Sequence, residues 1–166
     1  MRALSKPKYS SHSSIPSYRA SGGTTHRGAT LVAVPRTKVS RVDKAPIISV
    51  VDDDASVRTA TARLLRAAGF SAHAFASAGE FLLSPRMRET SCLIADVEMP
   101  GMSGIELQEY LIAHGQETPM IFITAYPEDR IREQVMRAGA IDFLSKPFDE
   151  PRLLECVERA LTKHRA

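Results

Sequence analysis

At 166 residues the chain has room for one domain of ordinary size plus a shorter appendage, and its apolar runs are strand length, far below the roughly 20 residues that span a membrane. The formal charge of +3 is unevenly spread: residues 1–44 hold nine Lys/Arg against the single acid Asp43, leaving 13 of the 22 basic and 18 of the 19 acidic residues beyond. The basic balance therefore belongs to the tail, and no specific nucleic-acid binding is expected from the acidic remainder.

Residues 1–44 are rich in Ser, Thr, Gly, Arg and Lys, as in Ser10-Ser11-His12-Ser13-Ser14, and poor in large apolar side chains. Such a stretch cannot offset the entropy of ordering, so disorder is expected, with Leu31-Val32-Ala33-Val34 as a short extended piece. The Arg- and Ser-rich start is also compatible with a transit peptide or a mis-assigned start, and no function is rested on it. Cys92 and Cys156 stand at apolar positions and read as buried thiols rather than as a disulfide, and a cytoplasmic setting is the default.

After Pro46, short apolar runs alternate with amphipathic stretches, the pattern of βα repeats around a parallel sheet. Strands are expected at 47–51, 71–75, 91–95, 119–123 and 141–145. Helices are expected at 55–68, 78–84, 104–113, 129–138 and 149–163, the first stopped at Gly69 and the fourth at Ala138-Gly139. The fold class is α/β, a single domain with a doubly wound five-stranded parallel sheet. The second strand alone ends in no strongly polar side chain, which suits an edge position and the order 2-1-3-4-5.

Every other strand delivers a polar group at its carboxyl end: Asp52, Asp53 and Asp54 after the first, Asp96 after the third, Thr124 after the fourth and Lys146 after the fifth. In an open parallel sheet these ends share one edge, where ligands bind. Carboxylates crowded there repel one another unless a cation intervenes, and Mg²⁺ suits them, with Asp53 and Asp96 as direct ligands and Asp52 through water. A solvated turn and helix cap is the alternative for residues 52–54, and Asp54 reads as such a cap. A carboxylate can also act as a nucleophile toward phosphorus, and Asp96 is the candidate. Lys146 would serve it as a point charge and Thr124 as a hydrogen-bond donor, although singly they also read as a surface lysine and a strand-ending β-branched residue.

Four motifs then carry a family resemblance. They are Val50-Val51-Asp52-Asp53-Asp54; Asp96-Val97-Glu98-Met99-Pro100-Gly101-Met102-Ser103-Gly104; Ile121-Phe122-Ile123-Thr124-Ala125; and Ala138-Gly139-Ala140-Ile141-Asp142-Phe143-Leu144-Ser145-Lys146-Pro147-Phe148. Over residues 46–164 the chain resembles response-regulator receiver domains of the flavodoxin-like (CheY-like) class, closest in motif to FixJ-type receivers. The resemblance implies a two-component phosphorelay in which a sensor histidine kinase or phosphotransfer protein phosphorylates Asp96. It implies a metal site of Asp52, Asp53, Asp96 and the Glu98 carbonyl, a switch pair of Thr124 and Phe143 in which the ring moves inward, and a cis bond before Pro147.

The resemblance further implies output through the fourth helix, fifth strand and fifth helix, where Arg130, Arg132, Gln134, Arg137 and Arg152 would lie, and a possible homodimer there. Glu98 and Tyr126 would tune water access to the acyl phosphate, and Arg58, Thr59, Ala62 and Arg66 on the first helix would face the kinase. Self-phosphorylation and self-dephosphorylation, rather than turnover of a separate substrate, are expected, since no cap or second binding group is apparent. A stand-alone receiver or phosphate sink, and a fragment of a DNA-binding FixJ-type transcriptional regulator, are both compatible with these motifs.

Overall fold

The structure is a computed structural model that describes residues 45–165. The expectation of a disordered tail at 1–44 lies outside them. Five strands, β1 (Ile47–Val51), β2 (Ser71–Phe75), β3 (Cys92–Asp96), β4 (Met120–Thr124) and β5 (Asp142–Ser145), form one parallel sheet in the order β2-β1-β3-β4-β5. Central strands covered on both faces cannot alternate apolar and polar residues, and β3 and β4 are buried at every position.

The helices are α1 (Ala55–Ala67), α2 (Ala78–Leu83), α3 (Gly104–Ala113), α4 (Asp129–Arg137) and α5 (Glu150–Arg165). On one face of the sheet Ala62 and Leu65 of α1 and Leu153 and Val157 of α5 pack with Ile48, Val50, Ile94 and Ile121. On the other, Phe81 of α2, Leu107 and Leu111 of α3 and Val135 of α4 pack with Val51, Leu93 and Phe122. Burying such side chains stabilises by about 1.5–3 kcal/mol each, which makes the two apolar layers the main source of cohesion.

Local chemistry sets several boundaries. Asp54 caps α1 by accepting from the Ser56 and Val57 amides, and Gly69 at φ 91° turns the chain away after it. Ser103 and Glu106 form a reciprocal capping box at the start of α3. Strands β3, β4 and β5 each start one residue later than the apolar pattern predicts. The first two run through their polar ends: Asp96 pairs with Ile123 and Thr124 with Ser145, because ladder hydrogen bonds are backbone bonds and ignore side-chain polarity. A 3-10 turn at Pro85–Glu89, opened by Ser84 accepting from the Arg86 amide, was not expected from periodicity, being too short to show any.

Candidate functional site

The carboxyl ends of β1, β3 and β5 bring Asp52, Asp53, Asp96 and Lys146 together. Carboxylate oxygens of the three aspartates lie within 4.8 Å of one another, with Asp52 and Asp96 buried and Asp53 exposed. Lys146 Nζ sits 2.7 Å from Asp96 Oδ2 and 2.8 Å from Asp52 Oδ2. Only the first contact has hydrogen-bond alignment, so Asp52 Oδ2 is buried with an ionic neighbour but without a hydrogen bond. Asp52 Oδ1 is served by the Asp54 amide at 2.8 Å.

Burial pushes the Asp52 carboxyl above the ordinary carboxylate value, with Asp96 adding repulsion and Lys146 opposing it. Burial pulls Lys146 down, but the close negative charges of Asp52 and Asp96 and its hydrogen bond to Asp96 outweigh that and hold it above the ordinary lysine value. One ammonium thus contacts two carboxylates of a cluster of three. The oxygen-only donor set and the unsatisfied buried oxygen fit a hard divalent ion, which such an acidic cluster can hold.

Glu98 has an exposed side chain, and the contact it makes is through its amide, which donates to Asp96 Oδ1 at 3.3 Å. Thr124 is buried at the end of β4; its Oγ1 accepts from the Tyr126 amide at 3.1 Å, leaving the hydroxyl proton for another acceptor. Phe143 is 4% exposed and packs in the layer with Phe122 and Val135, so its ring already occupies the inward position. The Lys146–Pro147 bond is cis.

Gly104 carried no role in the sequence and Arg58 was expected to face the kinase; the structure brings both against the site. Gly104 opens α3 against the back of β3: a Cβ there would overlap the Asp96 carbonyl oxygen, and the Gly104 amide donates to Val97 O at 3.0 Å. Its signal was the bare glycine following the Ser103 cap. Arg58 turns back onto the loop after β1, where Nη1 donates to the Asp52 and Asp53 carbonyls at 2.6 and 3.2 Å. Its neighbours on α1 are not all free for a partner either: Ala62 is buried and Arg66 donates to Ala72 O at 2.8 Å, which leaves Thr59 exposed.

On the surface of α4, β5 and α5, Arg130 and Gln134 are exposed and Arg137 pairs with Glu133 at 3.0 Å. Arg152 and Arg159 converge instead on the buried Asp142, at 2.6 and 3.1 Å, with Arg132 at 4.0 Å. Among the described residues no helix is long and apolar enough to cross a membrane.

Comparison with known proteins extends these observations. The family model described as the response regulator receiver domain matches residues 48–158. The response regulator protein TodT of Pseudomonas putida is 40% identical over 119 residues, covering 72% of this chain and 52% of its own. The transcriptional regulatory protein FixJ of Bradyrhizobium diazoefficiens is 37% identical over 114 residues, 69% of this chain and 56% of its own. The solved structure of the response regulator StyR superposes with a TM-score of 0.68 at 47% identity, covering 73% of this chain and 61% of that one. The chain spans about half the length of the curated relatives it matches.

Proposed function

The chain belongs to the response regulator receiver domain family, and on that premise we propose that its residues 46–164 accept a phosphoryl group on Asp96 from a sensor histidine kinase or phosphotransfer protein. The observation that carries this reading is the single Lys146 ammonium set between Asp96 and a buried Asp52 oxygen that lacks a hydrogen bond. That corner is short of positive charge, and a bound divalent cation would supply it and offset the negative charge a phosphoryl group brings.

An Asp96 carboxylate oxygen forms the new O–P bond as the P–N bond to the donor imidazole breaks and the ring nitrogen keeps the electron pair. Asp52, Asp53, Asp96 and the Glu98 carbonyl would hold Mg²⁺, which when bound supplies positive charge beside the transferring oxygens. Lys146 releases Asp52 and stays as a point charge for Asp96 or the phosphoryl group. The Thr124 hydroxyl proton donates one hydrogen bond. Phosphorylation adds about two negative charges beside Asp52 and Asp53, and Thr124 with the buried Phe143 ring passes the change to the α4, β5 and α5 surface.

The outcome is a changed surface, used by a downstream partner or a homodimer, with no turnover beyond loss of the domain's own phosphoryl group. A cytoplasmic setting goes with this role. The similarity to FixJ, a transcriptional regulatory protein, favours a second reading of the output, in which the receiver belongs to a transcriptional regulator; the Asp96 chemistry is common to both.

Incubation with Mg²⁺ and acetyl phosphate, followed by intact mass measurement, tests the proposal. A phosphoryl adduct is expected on the original chain and none on Asp96→Asn or after chelation of Mg²⁺. An adduct that persists in Asp96→Asn removes Asp96 from its role.

A further inference from the structure

Arg58 stands in the first turn of α1, where the positive end of the helix dipole disfavours a cation. Its half-buried side chain nevertheless runs back toward the loop, and Nη1 reaches the carbonyls of Asp52 and Asp53. Those carbonyls lie after the last residue of β1 and before the Asp54 cap, so neither the ladder nor the helix offers them a donor. The loop is otherwise held by the Asp52 amide, which donates to Phe75 O at 3.2 Å, by Lys146 beside Asp52 Oδ2, by the Asp54 amide on Asp52 Oδ1, and by the Asp54 carboxylate on the Ser56 and Val57 amides; none of these engages the Asp52 and Asp53 carbonyls. Among the described residues, Arg58 is the side chain that reaches the carbonyls of both Asp52 and Asp53, two of the three acids of the corner.

We infer that Arg58 is a positioning residue for that corner. By clamping two consecutive carbonyls it orients the peptide planes from which the Asp52 and Asp53 carboxylates project, so that a divalent cation meets a loop already ordered. The contact gives Arg58 a place at the site as well as on α1. The inference rests on reading Asp52 and Asp53 as cation ligands.

The sign of the effect separates positioning from charge. A guanidinium is a positive charge beside a cation pocket, so by Coulomb's law alone its removal tightens cation binding. Positioning demands the opposite: loss of an outer partner that orients the ligands weakens metal affinity by on the order of tenfold.

The experiment is an MgCl₂ titration of the full chain without phosphodonor, followed by ¹⁵N amide shifts, for the original, Asp53→Asn, Arg58→Met, Arg58→Ala and Arg58→Lys. The original should saturate with shifts at residues 52–54 and 96, and Asp53→Asn should bind far more weakly. Arg58→Met keeps the aliphatic stem and loses the donors; it should bind on the order of tenfold more weakly while the amides of β2, β4 and β5 stay in place. Arg58→Ala should repeat that loss, and Arg58→Lys, which restores a charged donor, should recover part of it. Unchanged or tighter Mg²⁺ binding in Arg58→Met or Arg58→Ala overturns the inference. Absence of any Mg²⁺ response in the original would instead overturn the cation site on which it rests.

Discussion

Two clusters built on buried aspartates stand at opposite edges of the same sheet. At the carboxyl edge the clustered carboxylates of Asp52, Asp53 and Asp96 have one ion-pair partner among the described residues, Lys146, which contacts Asp52 and Asp96. At the amino end of β5 the ratio is inverted. Asp142 alone receives Arg152 at 2.6 Å, Arg159 at 3.1 Å, the Cys156 thiol at 3.3 Å and the Phe143 amide at 2.8 Å, with Arg132 at 4.0 Å. The titration of the two buried groups follows. Burial raises Asp52 with too little to oppose it, whereas the hydrogen bonds and charges around Asp142 overcome its burial and hold it below the ordinary value of 3.8. The Cys156 thiol, buried and hydrogen-bonded to Asp142, is pushed up to about 11 and stays protonated as a donor. A buried carboxylate whose oxygens are all served is a clamp between elements; one with an unserved oxygen and like-charged neighbours is a place for a ligand.

Opposite signs of mutational effect would sharpen that contrast. The largest is expected at the clamp. Asp142→Ala leaves Arg152 and Arg159 facing an apolar hole, and breaking a fully buried pair costs about 3–5 kcal/mol. The guanidiniums here are 43% and 49% exposed, so the loss should be smaller, about 2 kcal/mol, read as a lower urea midpoint at unchanged slope. Undiminished stability would break the description of Asp142 as a clamp.

At the carboxyl edge the sign reverses. With divalent ions chelated, Asp53→Asn should stabilise the fold by on the order of 1 kcal/mol, since it removes an exposed charge whose carboxylate lies within 4.8 Å of the buried Asp52 and Asp96 carboxylates. Saturating Mg²⁺ should then favour the original, since a ligand that binds only the folded state adds about 2.7 kcal/mol at a hundred times its Kd. A destabilised Asp53→Asn in chelator would mean that the three carboxylates are not in conflict.

The smallest expected effect is in pH. A lowered folded value means that Asp142 contributes stability in full above 3.8, which drains as pH falls through that lower value, so Asp142→Asn should lose less on acidification. Asp52 carries the reverse dependence: its raised value favours the fold at low pH, and that benefit is lost as pH rises through it, a decline that Asp52→Asn should remove in chelator. Urea titrations across this range measure both slopes.

The fold was legible because its signals are local. Runs such as Ile47 to Val51 and Met120 to Ile123 are too continuous for half-buried strands, and Asp54, Ser103 and Gly69 punctuate the helices by their own backbone chemistry. Asp52, Asp53, Asp96 and Lys146 were visible for a related reason: polar residues ending apolar strands must share an edge once the strands are parallel. By itself, then, the sequence determined the class of fold, the strand order through the family resemblance, and the list of polar groups that meet at one edge.

Tertiary structure alone decided which polar atoms are satisfied. Arg58 and Thr59 are adjacent in sequence, yet only the first finds carbonyls within reach, and nothing in the run Asp142-Phe143-Leu144 announces two arginines from α5 closing on its first residue. Thr124 ends its strand as expected but spends an acceptor site on the Tyr126 amide, and Gly104 matters through an approach to β3 that no spacing encodes. Hydrogen-bond satisfaction depends on distances between segments far apart in the chain, within a few tenths of an ångström. Periodicity and residue type carry no information at that scale.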